Sequence, residues 1–398
     1  MRNLLVANHV KSVISSIQII LMEMNGYLRN VLVLLLALIV VSCEEKPKTP
    51  QELFEEARSG VVVILNKYYY ELQLPNGGTL YFSGFDEDGD LADLTPDIEE
   101  MKDKCSILTG TGFFVDDKGT IVTNNHVVNP HIDNNQVTKN YRNLLKAIKE
   151  LYRGRMGELQ EEYSRLENEK IGCLGYDEYG NVVIQDEYTF QKIKEQQDEM
   201  ETAYNELSSS IEELDDNLSM TGYKVKCITK IGIAYDDTFI NTIEDFFGGN
   251  ECVVVKSSSD EKTDLALIQL KGKKTPESKY VFQLSRKVEQ FSISDVFKKK
   301  HSEEMQIDQQ LYMIGYNAGL VLASTKQGIK VQMTSGKITQ LPDGQRLMYS
   351  IPAIKGSSGS PVLNEWGEVV AVNFAGFGST GDFNFGIPVE QVRKFKNQ

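Results

Sequence analysis

The sequence predicts a mainly β chain that carries an inserted antiparallel α-helical coiled-coil hairpin. Short strand-like segments separated by turn residues occupy residues 52–130 and 223–398, whereas apolar residues recur every seven positions between 131 and 222. The chain of 398 residues is 41% hydrophobic and 25% charged, which is ordinary for a globular protein and excludes wholesale disorder. We therefore expect a β-rich chain that is interrupted by a helical insertion over 131–222.

The β-rich portions consist of short apolar runs between turn residues. A short helix is predicted over 51–59, and a buried strand over 61–64. The motifs GTGFFV (110–115) and TIVTNN (120–125) flank a turn, and similar runs fill 224–270 and recur from 280 onward. Short strands of this kind indicate a β-barrel or β-sandwich pair instead of a parallel α/β sheet.

The inserted segment shows two heptad seams joined by a Gly-rich tip at 172–181, the pattern of an antiparallel helical hairpin. The first seam contains Leu145, Tyr152, Leu159 and Leu166, and the second contains Phe190, Ile193, Gln197, Met200, Tyr204, Leu207, Ile211, Leu214 and Leu218. Charged residues on both helices predict that the hairpin projects into solvent. We expect residues 135–220 to contact a protein partner or a second copy of the chain.

Near its beginning, the chain has an apolar run of signal-peptide length. Residues 31–41 read VLVLLLALIVV, shorter than the roughly 20 residues of a membrane-spanning helix, and Arg29 precedes them. The following residues, VVSC (40–43), resemble the lipobox of bacterial lipoproteins. A short membrane anchor or a buried helix is the alternative interpretation.

The lipobox implies that Cys43 is the lipidated first residue of the mature protein. We predict that residues 1–42 combine a start-site extension with a lipoprotein signal peptide, because Met22 and Met24 lie where an ordinary signal peptide begins. Residues 43–51 form a polar tether. The expected location is the bacterial cell envelope, with the chain lipid-anchored in the outer membrane and facing the periplasm or the outside.

Charge and cysteine content exclude some classes of function. The formal net charge of −15 offers no electrostatic footprint for nucleic acid. The acidic loop DEDGDLADLTPDIEE (86–100) lacks the Gly and the final Glu of an EF-hand, so a solvated loop is expected. Beyond Cys43, four scattered cysteines leave the disulfide pairing open and contain no CxxC zinc motif: Cys105, Cys173, Cys227 and Cys252.

Three motifs supply the residue types of nucleophilic catalysis, in the order His, Asp, Ser. They are TNNHVV with His126, KTDLALIQL with Asp264, and GSSGSPV with Ser358 between Gly356 and Gly359. A serine hydroxyl needs a base such as imidazole, and a carboxylate orients that imidazole. Each motif alone is explained by a structural histidine, a strand or a flexible turn. Together they predict a catalytic triad.

Other titratable residues fit these roles less well. His131 and His301 lie in polar loop contexts, NPHIDNN and KKKHSEE, which are typical of solvated histidines. Asp260 lies in the polar run SSSDEK, where a solvated turn is expected.

These motifs resemble the trypsin-like serine peptidases of the Deg/HtrA type over residues 52–130 and 223–395. The resemblance implies a chymotrypsin-like double β-barrel, with an N-terminal barrel over 52–275, interrupted at 131–222, and a C-terminal barrel over 276–398. It also implies an oxyanion hole formed by the N–H groups of Gly356 and Ser358, and no metal or organic cofactor. The chain departs from the family in the hairpin, in Ser360 where Gly is frequent, and in the expected absence of a PDZ domain.

The resemblance also suggests residues of the substrate pocket. The pocket floor corresponds to Pro352, which offers no carboxylate for a basic side chain of the substrate. The strand that pairs with an extended substrate corresponds to Asn373, Phe374 and Ala375, and Phe374 narrows the pocket or belongs to the core.

The function expected from these observations is a lipid-anchored serine endopeptidase that cleaves protein or peptide substrates through an acyl-enzyme intermediate. The alternative is a catalytically silent, trypsin-like scaffold lipoprotein that acts through the coiled-coil hairpin.

Overall fold

A computed structural model describes residues 46–258, 263–284, 304–376 and 383–398. Cys43, the signal segment, Asp260 and His301 lie outside these ranges. The described chain divides into two compact units. One contains the residues up to Ile64, Thr109–Asn125 and those from Ile233 to Gln398, and the other contains Leu65–Leu108 and His126–Gly232.

Strands dominate the described residues outside the hairpin. The helices are α1 (Pro50–Ala57), α2 (Ile98–Asp103), α3 (Asn125–Val128), α4 (Asn134–Gly172), α5 (Glu187–Ser219), α6 (Leu320–Ala323) and α7 (Val389–Asn397), with 3-10 turns at Arg58–Gly60 and Ile243–Phe246. The strands are β1 (Val61–Gln73), β2 (Thr79–Phe82), β3 (Gly84–Phe85), β4 (Leu91–Ala92), β5 (Ser106–Phe114), β6 (Thr120–Thr123), β7 (Leu174–Tyr176), β8 (Val182–Ile184), β9 (Lys224–Tyr235), β10 (Glu251–Ser257), β11 (Ala266–Leu270), β12 (Gln310–Gly315), β13 (Ser324–Thr325), β14 (Gly328–Ile329), β15 (Gln332–Gln340), β16 (Leu347–Tyr349), β17 (Pro361–Leu363), β18 (Val369–Gly376) and β19 (Asn384–Pro388).

The first large sheet closes on itself. Its strand order is β2-β1-β5-β6-β11-β10-β9, and β1 also pairs with β9, so that all its strands except β2 form a ring. The first six residues of β1 are buried. Side chains along a barrel strand point alternately into the barrel and away from it, so the outer surface of the barrel is also covered at this point. The short helix before β1 and the buried run at its start match the sequence prediction.

The second large sheet is a closed barrel with the order β12-β15-β16-β19-β18-β17. Inward-facing apolar residues fill it, as the alternation of side chains along barrel strands requires. The core comprises Leu311, Met313, Ile338, Leu347, Tyr349, Ile351, Val362, Val370 and Ala371. Two closed six-stranded barrels are the architecture of the chymotrypsin fold, and the prediction of a mainly β, double-barrel chain is confirmed.

Helices α4 and α5 form an antiparallel pair. Lys149 contacts Asp215, Gln160 donates to the Tyr204 hydroxyl at 3.2 Å, and Lys170 donates to Gln197 at 2.9 Å. As the residue number rises along α4 from Lys149 to Lys170, the number of its partner in α5 falls from Asp215 to Gln197, so the two helices run in opposite directions. Five residues of the two predicted seams are buried, namely Leu145, Leu159, Leu166, Ile193 and Gln197. The helices occupy 134–219 within the predicted insertion at 131–222.

The base of the helical pair packs on strands of the same unit. Val137, Tyr141 and Leu145 share a buried cluster with Tyr70, Leu72 and Phe82. The Tyr70 and Phe82 rings stack with their centroids 5.2 Å apart. The first three turns of α4 are therefore part of a core, and only the distal part of the pair is free to act as a projecting arm.

The four cysteines of the described ranges are free thiols. Burial raises the pKa of Cys227 and of Cys252 to about 12, which keeps both thiols protonated and unreactive at neutral pH. Within the described ranges no helix has the length and apolarity needed to cross a membrane. The acidic loop follows the short strand β3 and contains its partner β4, and Asp86 accepts the N–H groups of Asp88 and Asp90 at 3.1 and 2.8 Å.

Candidate active site

The loop 354–360, called the Ser358 loop below, presents a half-buried serine between two glycines. Gly356 has φ +103° and Gly359 has φ +88°, in the left-handed region that disfavours other residues. A Cβ atom on Gly356 would lie 2.3 Å from the Gly319 nitrogen, and one on Gly359 would lie 2.1 Å from the Thr111 carbonyl oxygen. Both positions therefore require glycine, for conformation and for space.

Backbone hydrogen bonds hold the main chain on both sides of Ser358. The Thr111 N–H donates to the Ser358 carbonyl at 2.8 Å, and the Gly359 N–H donates to the Asn373 carbonyl at 2.8 Å. The Asn373 N–H in turn donates to the Ser360 carbonyl at 2.9 Å. These bonds tie the loop to β5 and β18, so the Cα position of Ser358 is fixed by two strands.

The two N–H groups predicted to bind an oxyanion are available. Within the described residues, neither the Gly356 N–H nor the Ser358 N–H donates a hydrogen bond. The neighbouring Ser357 is committed, because its N–H and its hydroxyl both bond to the Ile354 carbonyl, at 3.0 and 2.7 Å. The loop therefore leaves its predicted oxyanion donors without a competing partner.

Thr111 in β5 is a residue whose importance the sequence did not reveal. Its side chain is fully buried, and its hydroxyl donates to the Gly356 carbonyl at 2.9 Å while accepting the Tyr316 N–H at 3.0 Å. Its N–H bonds to Ser358, as described above. The GTGFFV motif contains Thr111, but the pattern predicts only a strand there. Strand β5 also contains Ser106 and Thr109, so residue type alone does not single out Thr111.

Hydrogen bonds to its carbonyl oxygen hold Asp264 against Asn124 and Asn125, the two residues before His126. The Asp264 carbonyl accepts the Asn125 N–H at 3.2 Å and the Asn124 side-chain amide at 3.0 Å. Asp264 has a positive φ of 33°, a strained conformation for a residue other than glycine, and the buried Leu265 separates it from the start of β11. His126 is the second residue of α3 and is half-buried.

The predicted pocket residues have different environments. Pro352 is exposed, and its carbonyl accepts the Thr334 hydroxyl at 3.4 Å. The Asn373 side chain is buried: its amide donates to the Ser357 carbonyl at 3.1 Å, and its oxygen accepts the Tyr349 hydroxyl at 2.8 Å. The Asn373 amide therefore braces the Ser358 loop, a role that the sequence did not assign to it.

Phe374 lies at an irregularity of β18, where the register with β19 shifts between Asn373 and Ala375. Its ring centroid is 6.4 Å from that of Phe385. The Arg346 guanidinium lies over both rings, at 5.9 Å from Phe374 and 5.4 Å from Phe385. A positive charge therefore accompanies the strand that was predicted to bind substrate.

The fold and the Ser358 loop agree with the family to which part of the chain is similar. Residues 216–372 match the model of the trypsin-like peptidase domain, a stretch that contains Asp264 and Ser358 but not His126. Part of the chain is thus similar to a trypsin-like peptidase domain.

Individual proteins are also similar to parts of the chain. Glutamyl endopeptidases of Staphylococcus aureus strains MW2 and MSSA476 are each 31% identical over 99 residues, which is 25% of this chain and 28% and 27% of theirs. The chain therefore spans little more than a quarter of the length of these relatives. The serine endoprotease of Yersinia pestis is similar at 14% identity with a TM-score of 0.39, over 89% of this chain and 67% of that one.

Proposed function

We propose that this chain is a serine endopeptidase of the Deg/HtrA type with Ser358 as nucleophile, His126 as general base and Asp264 as the residue that orients His126. The observation that carries the proposal is the conformation of the Ser358 loop. Two glycines with positive φ flank the serine, and the Gly356 and Ser358 N–H groups donate no hydrogen bond within the described residues. A structural turn would need neither the close approach at Gly359 nor the bracing by Thr111 and Asn373.

The proposed chemistry needs no group beyond the chain and water. His126 takes the Ser358 proton as the serine oxygen attacks the substrate carbonyl, and the resulting oxyanion accepts the N–H groups of Gly356 and Ser358. The C–N bond then breaks as His126 returns the proton to the leaving amine. Water, deprotonated by His126, attacks the acyl-enzyme, and the serine leaves with that proton. Removing one oxyanion donor typically raises the barrier by about 2.7–4 kcal/mol.

Cleavage of an unfolded protein substrate tests the three roles. Ser358→Ala, His126→Ala and Asp264→Asn should each lower kcat by about four orders of magnitude or more. His131→Ala is the matched control, because His131 is exposed and has no proposed role, and its activity should equal that of the wild type. If all the triad variants keep wild-type turnover, the assignment is wrong. A folded wild type without any turnover would favour the scaffold interpretation.

We further propose that the pocket rejects basic side chains. Pro352 provides no carboxylate at its floor, and Arg346 lies over the ring of Phe374, which the resemblance assigns to the substrate-binding strand. Glutamate is named in the activity of the staphylococcal relatives, and a cation near the pocket is consistent with an acidic residue there. In a peptide library, sequences with Glu before the cleaved bond should be cut at least tenfold faster than those with Lys. Equal rates would remove the proposed role of Arg346.

Finally, we propose that Cys43 carries a lipid that anchors the chain in the bacterial envelope, on the basis of the VVSC motif and the apolar run before it. Growth of an expressing bacterium with labelled palmitate should label the full-length protein and leave Cys43→Ser unlabelled. A labelled Cys43→Ser protein would place the modification elsewhere.

A further inference from the structure

The distal end of the helical pair carries a small β-ribbon that the heptad pattern did not predict. Strands β7 and β8 pair antiparallel, with Tyr176 opposite Val182 and Leu174 opposite Ile184. Side chains two residues apart along a strand lie on the same face, so these four residues share one face of the ribbon. That face is entirely apolar.

The ribbon face is open to solvent. Tyr176 is 74% exposed and Val182 is 62% exposed, and the adjoining Tyr188 is 80% exposed. On the opposite face, the Gln185 side chain lies against Gly175 so closely that a Cβ there would be 2.0 Å from it, and Val183 is 37% exposed. A cluster of exposed apolar residues on a soluble surface usually marks a binding site.

The ribbon is preorganised. The Gln185 N–H donates to the Cys173 carbonyl at 2.8 Å, closing the ribbon at its base. At its turn, the Asp177 carboxylate accepts the Tyr179 and Asn181 N–H groups, both at 2.8 Å. Among the described strands, β7 and β8 pair only with each other, so each has an outer edge that another extended strand can join.

The charge around this face selects its partner. Residues 173–186 contain Asp177, Glu178 and Asp186 and no Lys or Arg, and helix α5 has ten acidic residues against two lysines. Hydrogen bonds from Asn181 and from Thr189 lower the pKa of Asp177 and of Asp186, so both stay ionised well below neutral pH. A second copy of the same tip, or an anionic lipid surface, would be repelled.

We propose that the tip formed by β7, β8 and Tyr188 is a docking site for an extended, positively charged polypeptide segment, which adds to an open ribbon edge and covers the apolar face. In the context of the proposed function, on which this step rests, the segment belongs to a substrate chain. The apolar face supplies the buried area, the strand edge aligns the backbone, and the acidic surroundings select cationic sequences.

Fluorescence anisotropy with the full-length Ser358→Ala protein measures this binding without cleavage. The probe is a labelled 15-residue peptide of alternating Lys and Val, and the comparison peptide has Glu in place of Lys. The Lys peptide should bind and the Glu peptide should not. Tyr176→Ser/Val182→Ser should weaken binding at least tenfold. Leu151→Ser is the matched control: Leu151 is 72% exposed on the same arm, about six turns from the end of α4, and its loss should change nothing.

Equal binding of the Lys peptide by the double variant would overturn the proposal, and so would equal binding of the two peptides. A dimer in analytical ultracentrifugation that the double variant abolishes would also overturn it, in favour of self-association. Binding of phosphatidylcholine vesicles that depends on Tyr176 would likewise overturn the proposal and would indicate a membrane surface as the partner of the tip. Failure of the proposed function is seen separately, as missing turnover in a wild-type chain that still binds the Lys peptide.

Discussion

At the scale of single residues, Thr111 connects strand β5 of the first barrel to the Ser358 loop. One buried side chain satisfies the Gly356 carbonyl and the Tyr316 N–H, and the same residue's backbone holds the Ser358 carbonyl. The Gly356 peptide must keep its orientation if its N–H is to meet an oxyanion. Thr111 is therefore a positioning residue, which acts through the loop and does not touch the substrate.

Replacing Thr111 by Val keeps its shape and removes its hydroxyl. Leaving a buried carbonyl and a buried N–H unpaired costs about 1–3 kcal/mol each, and part of that cost should appear as misorientation of the Gly356 peptide. We expect kcat to fall at least tenfold with KM within about twofold of the wild-type value, as determined by steady-state kinetics. Thr111→Ser should restore kcat. A change in KM alone would contradict a role in the oxyanion hole.

Gly359 and Ser360 are adjacent residues with opposite expected sensitivities. Gly359→Ala places a Cβ 2.1 Å from the Thr111 carbonyl at a positive φ, so the free energy of unfolding should fall by about 2 kcal/mol or more. The buried Ser360 hydroxyl has no hydrogen-bond partner in the described chain, so Ser360→Ala should be neutral or stabilising by up to about 1 kcal/mol. Urea unfolding measures both. Equal destabilisation would contradict this description of the loop.

At the scale of elements, the helical pair consists of a base and an arm. The base, with Val137, Tyr141 and Leu145, belongs to a buried cluster, whereas the arm ends in the β-ribbon. The heptad pattern predicted both helices, because apolar spacing is a local property. It did not predict the ribbon, whose apolar residues face solvent and whose turn depends on Asp177. It also gave no sign that the base is part of a core.

Two deletions separate the base from the arm. Removing 151–212 and joining the ends with a short Gly-containing turn should leave the melting temperature within a few degrees of the wild-type value. Removing 135–220 also deletes three buried apolar side chains that the shorter deletion keeps, Val137, Tyr141 and Leu145. Each is worth about 1.5–3 kcal/mol, so this deletion should lower the melting temperature much further. Calorimetry measures the difference. Equal losses of stability would mean that the base contributes no more than the arm.

The turn between β5 and β6 and the terminal helix α7 meet at Asp116. Burial raises the pKa of Asp116, but hydrogen bonds from Thr120 and the charge of Lys396, 3.3 Å away, outweigh it and lower the pKa below 3.8. A depressed folded-state pKa gives stability that is present above the unfolded value and lost as the pH falls through the folded value. Between pH 5 and pH 2, Asp116→Asn should therefore lose less unfolding free energy than the wild type. An unchanged pH profile would contradict this linkage.

At the scale of the whole molecule, short strands between turn residues predicted a pair of β-barrels or β-sandwiches, and the resemblance carried by the ordered motifs implied two barrels. The ordered motifs of His126, Asp264 and Ser358 predicted the residues of the candidate site. The sequence did not predict the bracing of the Ser358 loop by Thr111 and Asn373. The Thr111 hydroxyl bonds to a residue more than 200 positions away, and the Asn373 amide bonds to Ser357 within a buried network. Local patterns do not encode such pairings.

The central claim is that Ser358 is an activated nucleophile. Incubating the folded protein with a fluorophosphonate and mapping its peptides by mass spectrometry tests that claim most directly. We expect one phosphonyl adduct, located on Ser358, that forms rapidly in the wild type and in His131→Ala and is absent in His126→Ala. An adduct on another serine, or a folded protein that stays unmodified, would contradict it.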